Sequence, residues 1–373
     1  MDMFKLRILT CILLIMAVAG CQTTPKNSHP SCEPCTKYVD FAQPVEACPA
    51  FSPQSVTPDR RWRHMVLEGG GVKGVAYAGA FAALSDAGAV DDIEHVAGTS
   101  AGALMALAFS LGYSADEIQQ IVLQLDFKKF RDGTLLGNSV RLVRDYGLYK
   151  GNYAQCVMEC LVQRQLGDKK ANFLDLHAQA QQPGSHFRDA VFYGTDVNSE
   201  SSTAFSYTSN ATTPLAEAAR MSMSIPLFFA AREFDGDVYV DGGVLRNYAI
   251  RTFDHGASNP NTIGFHLGGM PGHREIGNLI QYAEQLFATL MNQQVVALCD
   301  SPEDVKRSVF LPTLGIGTTD FGITHAQKCA LIQAAYEKTN TYLSTSDPST
   351  TCPEAVLRHF RALRAPAMPS SAN

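Results

Sequence analysis

Charge is scarce in this chain and the little there is leans acidic. Charged residues fill 18% of the 373 positions and the formal net charge is −6. With hydrophobic residues at 46%, that composition excludes disorder over most of the length. The missing positive excess argues against a nucleic-acid partner, whose binders carry a basic face. No internal repeat is present, and the ten histidines show no metal-like spacing such as H-E-x-x-H. No metal and no organic cofactor is therefore implied. Nothing in the sequence names a protein activator. The longest feature of the N-terminus, Ile8 to Ala19, is an uncharged, largely apolar run of 12 residues, short of the roughly 20 that span a bilayer.

That short run reads instead as a signal-peptide core, preceded by Lys5 and Arg7. It ends Val18-Ala19-Gly20-Cys21, which resembles a bacterial lipoprotein box. The expectation is a signal peptide over 1–20 and a lipid anchor on Cys21, with diacylglycerol and palmitate as its chemistry. Gln22 rather than Asp follows, which points to the outer membrane of the bacterial cell envelope. The plainer alternative is an ordinary secretory signal with Cys21 incidental.

Residues 22–60 hold seven of the 18 prolines, so 21–61 is expected to be a flexible tether. A folded domain is expected over 62–343, with its motif core at 63–254. The tail, 344–373, is expected to be loosely ordered around one short helix from Cys352 to Leu363. Eight cysteines remain after Cys11 and Cys21; an exported chain can pair them in 105 ways. Cys32 and Cys35 form a lone C-x-x-C. A local disulfide or free thiols suit it better than a metal, which needs a second ligand pair.

Within the domain, apolar runs alternate between strand and helix character. Strands are expected at 64–67, 93–97, 190–195, 204–207, 238–240 and 262–267. Helices are expected at 72–87, 100–111, from the Ser114 cap onward, and at 215–223, 274–298 and 325–342. Such alternation predicts an α/β layered fold with a mostly parallel sheet.

Three motifs in this framework carry chemistry. Gly98-Thr99-Ser100-Ala101-Gly102 is G-x-S-x-G between a strand and a helix, the context of a nucleophile elbow. A packing turn is the bland alternative. Glu68-Gly69-Gly70-Gly71-Val72-Lys73-Gly74 also follows a strand and opens a helix, so its N–H groups can converge on an anion. A dinucleotide loop would want an acid ending the next strand, but Asp91 and Asp92 precede it. An oxyanion hole fits better beside a serine elbow. Asp241-Gly242-Gly243 ends an apolar strand, where an Asp either forms a turn or takes the serine proton directly.

The three motifs in this order resemble the patatin-like phospholipase family. Ala219 to Pro226, the stretch from Asp241 to Asn247, Gly147 to Gly151 and Thr319 to Thr324 also have counterparts there. The likeness covers roughly residues 63 to 343. It implies a three-layer α/β/α sandwich with a mostly parallel central sheet, and a serine hydrolase with a Ser–Asp dyad acting on lipid acyl esters. Membrane phospholipid is then the implied substrate. Carried onto this chain, Ser100 is the nucleophile and Asp241 the general base. Gly69, Gly70, Gly71 and Gly74 belong to the oxyanion hole, Gly98 and Gly102 to the elbow, and Gly242 and Gly243 to the turn after the base. Glu68 departs from the family's usual Asp, conservatively. Arg220 is expected to pair structurally near the site.

Two other readings compete. One is an α/β-hydrolase esterase or lipase with a Ser–Asp–His triad, for which His255, His266 or His325 would serve. The other is a lipid-binding lipoprotein without catalysis. A further expectation concerns 126–150, where six basic residues face three Asp among interleaved apolar side chains. That pattern suits contact with anionic lipid surfaces, or more plainly a solvated loop and helix.

Overall fold

The computed structural model describes residues 30–49, 56–133, 141–268, 275–354 and 356–357. The signal segment, Cys21 and most of the expected tail helix lie outside them. In chain order the larger elements begin with β1 (His64–Leu67), α1 (Tyr77–Asp86), β2 (His95–Thr99), α2 (Ala101–Ser110) and α3 (Ala115–Gln124). Then come β3 (Gly147–Tyr149), α4 (Asn152–Leu166), α5 (Phe173–Ala180), β4 (Asp189–Asp196), β5 (Ser201–Phe205) and α6 (Leu215–Ser222). The chain continues through β6 (Leu227–Phe229), β7 (Arg232–Phe234), β8 (Asp237–Asp241), α7 (Gly243–Arg246) and β9 (Thr262–Gly268). It closes with α8 (Leu279–Cys299), α9 (Pro302–Lys306), β10 (Ser308–Pro312) and α10 (His325–Leu343).

The central sheet has the order β10-β9-β1-β2-β4-β8-β7, with β5 paired to β4. The pairings from β10 to β4 are parallel, whereas β4–β8, β8–β7 and β4–β5 are antiparallel. This is the expected α/β architecture, a mostly parallel sheet flanked by helices, with an antiparallel margin. β1 and β2 are short apolar strands buried on both faces, as strands covered by helices must be. α2 follows the same logic: every residue of AGALMALAFS is buried, so it runs through the core.

Helix starts are set by local chemistry. Ser114 and Glu117 form a capping box on α3, and Thr324 and Gln327 form another on α10. The far end of α3 is closed by a long-range partner. The buried Lys328 ammonium, on α10, donates to the carbonyls of Val122, Leu123 and Leu125 at 3.0, 3.0 and 2.7 Å. A cation there meets the negative end of the helix dipole, while burial lowers its pKa to about 8.

The expectation for the cysteines is corrected. Cys32 and Cys35 do not pair with each other but with Cys156 and Cys160 of α4, one helical turn apart. Cys48 pairs with Cys329 of α10, and Cys299 with Cys352. Residues 30–49, inside the expected tether, are thus stapled to two helices, and Val39 is buried in the core. A proline-rich composition describes the stiffness of a segment, not whether distant thiols pin it down. Removing the Cys48–Cys329 link, which closes a loop of 281 residues, with paired Ser substitutions is expected to cost about 2–4 kcal/mol. Urea unfolding of the folded variant measures it; an unchanged midpoint would contradict the pairing.

Candidate active site

β1 and β2 lie side by side, so the loops leaving their ends are neighbours. The turn after β2 holds Ser100 at φ 53°, a left-handed conformation that non-glycine residues avoid. Its flanking glycines are required by close approach. A Cβ on Gly98 would sit 2.2 Å from the Gly102 carbonyl oxygen, and one on Gly102 would sit 2.3 Å from that of Leu67. The elbow is held by Ser222, whose Oγ accepts the Ser100 N–H at 2.9 Å and donates to the Tyr193 carbonyl at 2.6 Å.

Asp241 reaches the same level of the sheet from the opposite direction. Thr99 pairs with Tyr193, and Asp241 pairs with the next residue of β4, Gly194. The carboxyl is fully buried. Its Oδ1 accepts the Gly243 N–H at 2.7 Å, whereas Oδ2 has no partner of ordinary hydrogen-bond geometry. The Ser100 side chain is the hydroxyl that bears on this carboxyl and favours its charged form. Burial pushes the Asp241 pKa up to about 7, against the opposing pull of Ser100, the Gly243 N–H and the Arg220 charge.

The glycine loop after β1 approaches the elbow from the other side. A Cβ on Gly71, at φ 57°, would overlap the Thr318 carbonyl oxygen. One on Gly70 would sit 2.5 Å from Leu267 Cδ1. Gly70 and Gly71 donate their N–H groups to no acceptor among the described residues. The other two glycines differ. The Gly69 N–H is taken by the Asn247 carbonyl at 3.1 Å, and Gly74 packs against Ala101, where a Cβ would lie 3.0 Å from its neighbour. Gly70 and Gly71 therefore remain as the donors of a candidate anion pocket, with Gly69 and Gly74 as its frame.

A buried polar network underlies this loop. Glu68 Oε2 accepts the Leu267 N–H at 2.6 Å and Oε1 accepts Asn247 Nδ2 at 3.0 Å. Asn247 Nδ2 also reaches the Gly69 carbonyl. Its own N–H goes to Gln294, which donates on to the Gly243 carbonyl at 2.9 Å. The glycine loop and the Asp241-Gly242-Gly243 turn are thereby one hydrogen-bonded unit. Burial raises the Glu68 pKa to about 7 and lowers that of His266, 3.3 Å away, to about 3. Arg220 makes the structural contacts expected of it near the site, with carbonyls and a hydroxyl. It donates to the Gly151, Lys150 and Ala230 carbonyls and to Ser224 Oγ, and burial lowers its pKa to about 9.

Ser100 opens onto an apolar pocket lined by Leu104, Met105, Phe130, Ile225, Phe229 and Phe321, among others. None of His255, His266 and His325 lines it. The segment Ala219 to Pro226 is legible in the sequence as a motif but not as a device: Ser222 holds the elbow and the Ser224 carbonyl accepts the Asp241 N–H at 2.8 Å.

Residues 65–254 match the family model of patatin-like phospholipases. The protein YqhO of Bacillus subtilis (strain 168) is 31% identical over 300 residues, which is 74% of this chain and 97% of YqhO. R571 of Acanthamoeba polyphaga mimivirus is 28% identical over 198 residues, covering 52% of this chain and 61% of R571. Among solved structures, VipD from Legionella pneumophila is similar in fold, with a TM-score of 0.53 at 15% identity, over 77% of this chain and 67% of VipD.

The raised Asp241 pKa has a consequence for stability. Between about pH 4 and 7 the unfolded chain has released this proton while the folded chain retains it, so stability falls as pH rises through that window. Asp241→Asn removes the effect. Its Tm relative to the unsubstituted protein is expected to climb from pH 5 to pH 8 in calorimetric scans. A Tm difference that is flat or falls with pH would contradict the burial of an ionisable carboxyl.

Proposed function

Because the chain belongs to the patatin-like phospholipase family, we propose that it cleaves fatty-acyl esters of phospholipids through an acyl-Ser100 intermediate, with Asp241 as general base. Asp241 takes the Ser100 proton as Oγ attacks the ester carbonyl. The oxyanion that develops is met by the Gly70 and Gly71 N–H groups, at the start of the short 3-10 helix Gly71–Ala76. Collapse expels the lysolipid alcohol, which takes its proton from Asp241. Water, deprotonated by the same carboxylate, then releases the fatty acid. The apolar pocket beside Ser100 receives the acyl chain.

The observation that carries this reading is the pairing of a strained serine elbow with a buried carboxyl at one level of the sheet. The histidine-free pocket lining weighs against a triad. We further propose that the chain is anchored to the bacterial envelope by lipid on Cys21, outer membrane included. The four disulfides support an oxidising compartment.

Ser100→Ala and Asp241→Asn are each expected to lower hydrolysis of a short-chain fluorogenic ester by about 10⁴-fold or more, without additivity in the double variant. His255→Ala and His325→Ala are expected to retain most activity. kcat/KM is expected to rise with pH through about 7 as Asp241 ionises. A folded histidine variant as inert as Ser100→Ala would overturn the dyad. Fluorophosphonate labelling lost in Ser100→Ala separates an enzyme from a binding protein, and mass spectrometry of products from mixed lipids reads the class of ester cleaved.

A further inference from the structure

The 3-10 turn Phe127–Phe130 has two faces with different chemistry. Phe127 and Phe130 line the apolar pocket beside Ser100. Lys129 and the following Arg131 line a separate polar cleft, together with Lys37, Lys150, Asp132 and Glu33. The partition between pocket and cleft is thin. Phe130 meets the Tyr153 ring edge-on, at 5.1 Å between centroids, with Phe130 in the pocket wall and Tyr153 in the cleft wall. Arg131 lies over the Phe321 ring, a second pocket residue, at 5.1 Å.

The cleft is cationic in effect. Lys37, Lys129, Arg131 and Lys150 are all exposed, and among the described residues none of the four makes an ion pair. Asp132 offsets part of this charge and is committed to the backbone. Its carboxylate accepts the N–H groups of Gly151, Asn152 and Tyr153 at 2.7, 2.6 and 3.2 Å, where it caps α4. With Glu33 at the rim, the lining carries four basic side chains against two acidic ones. Arg131 also donates to the Thr319 carbonyl at 3.3 Å, and Arg141 and Arg144, also in the basic stretch, are engaged outside the cleft: Arg141 with the Leu148 carbonyl and Arg144 with Asp145. The outer wall of the cleft, Pro30 to Tyr38, is clamped to α4 by Cys32–Cys156 and Cys35–Cys160, which fixes Lys37 opposite Lys129 and Lys150. Two covalent links hold a wall that no strand pairing supports.

We propose that this cleft receives the phosphate-bearing headgroup of an anionic phospholipid at the membrane surface, next to the pocket that takes the acyl chain. The inference rests on the phospholipid reading above and adds the lipid class. Lysine and arginine recognise phosphate by charge and by donated hydrogen bonds, and an apolar slot one ring away suits a molecule that carries both chemistries. A chain with net charge −6 would otherwise be repelled from an anionic leaflet.

The test uses the full chain carrying Ser100→Ala and Cys21→Ala, so that neither turnover nor a lipid anchor contributes to binding. Lys37→Glu with Lys150→Glu is compared with Lys170→Glu with Lys338→Glu, an equal charge change at exposed positions outside the cleft. The cleft pair is expected to weaken sedimentation with phosphatidylglycerol vesicles by about tenfold or more and the control pair by about threefold or less, with Tm unchanged in both. Equal losses would overturn the site in favour of general electrostatics. Millimolar inorganic phosphate is expected not to displace the vesicles; displacement would overturn the lipid source. If the cleft pair fails to fold, mass spectrometry of lysine acetylation in the otherwise unsubstituted chain decides. Protection of Lys37 and Lys150 by phosphatidylglycerol but not phosphatidylcholine vesicles supports the proposal, and no protection overturns it. Because binding is read without turnover, loss of the hydrolase reading would leave this result standing or falling by itself.

Discussion

β8 meets β4 antiparallel, and the register of that seam decides whether a site exists at all. The parallel strands deliver their loops to one end of the sheet, which is how Ser100 and the glycine loop become neighbours. Asp241 comes from a strand running the other way. It arrives opposite Gly194, one residue beyond the partner of Thr99. Side chains alternate along a strand, so a slip by one residue would turn the carboxyl to the other face of the sheet. The Asp241 N–H bonded to the Ser224 carbonyl, and Thr195 Oγ1 donating to the Asp241 carbonyl at 3.0 Å, pin that register from both sides.

Once the register places a carboxyl there, burial governs its behaviour. Asp241 and Glu68 are both fully enclosed and both pushed up to about 7. Their surroundings differ. Glu68 has both oxygens satisfied by Leu267 and Asn247, and serves as a fixed joint between strands. Asp241 keeps one oxygen in hand. Two acids of similar burial are thus separated by hydrogen bonding into one that holds and one with spare accepting capacity. Gln294, from the long helix α8, completes the joint by bridging Asn247 and Gly243.

The parts of this arrangement that were legible in the sequence are those written in local patterns. Short apolar runs marked β1, β4 and β9 closely, and glycine spacing marked the elbow and the loop, because close backbone approach leaves no other residue possible. The expected helix at 72–87 proved to be a 3-10 turn followed by α1, since the chain must first wrap the glycine loop. α4 and α5 escaped attention. α4 is buried along much of its length yet carries Gln155, Glu159 and both cysteines, so no simple apolar stripe announces it. Nor could spacing reveal that Ser222 supports Ser100 across 122 residues, or that Gly69 spends its N–H on Asn247. Such partners are chosen by the sheet order, which one-dimensional patterns do not encode.

The disulfide map carries a consequence for how the molecule is made. Cys32, Cys35 and Cys48 precede their partners by 124, 125 and 281 residues. A chain that enters an oxidising compartment N-terminus first exposes these three thiols to one another long before Cys156 or Cys329 follows. Any pair that forms among these three before then is non-native. Such a pair reaches the native map by thiol–disulfide exchange rather than by oxidation alone. The wall from Pro30 to Tyr38 can be locked once Cys156 and Cys160 emerge, whereas Cys48 must wait for Cys329 near the far end of the fold.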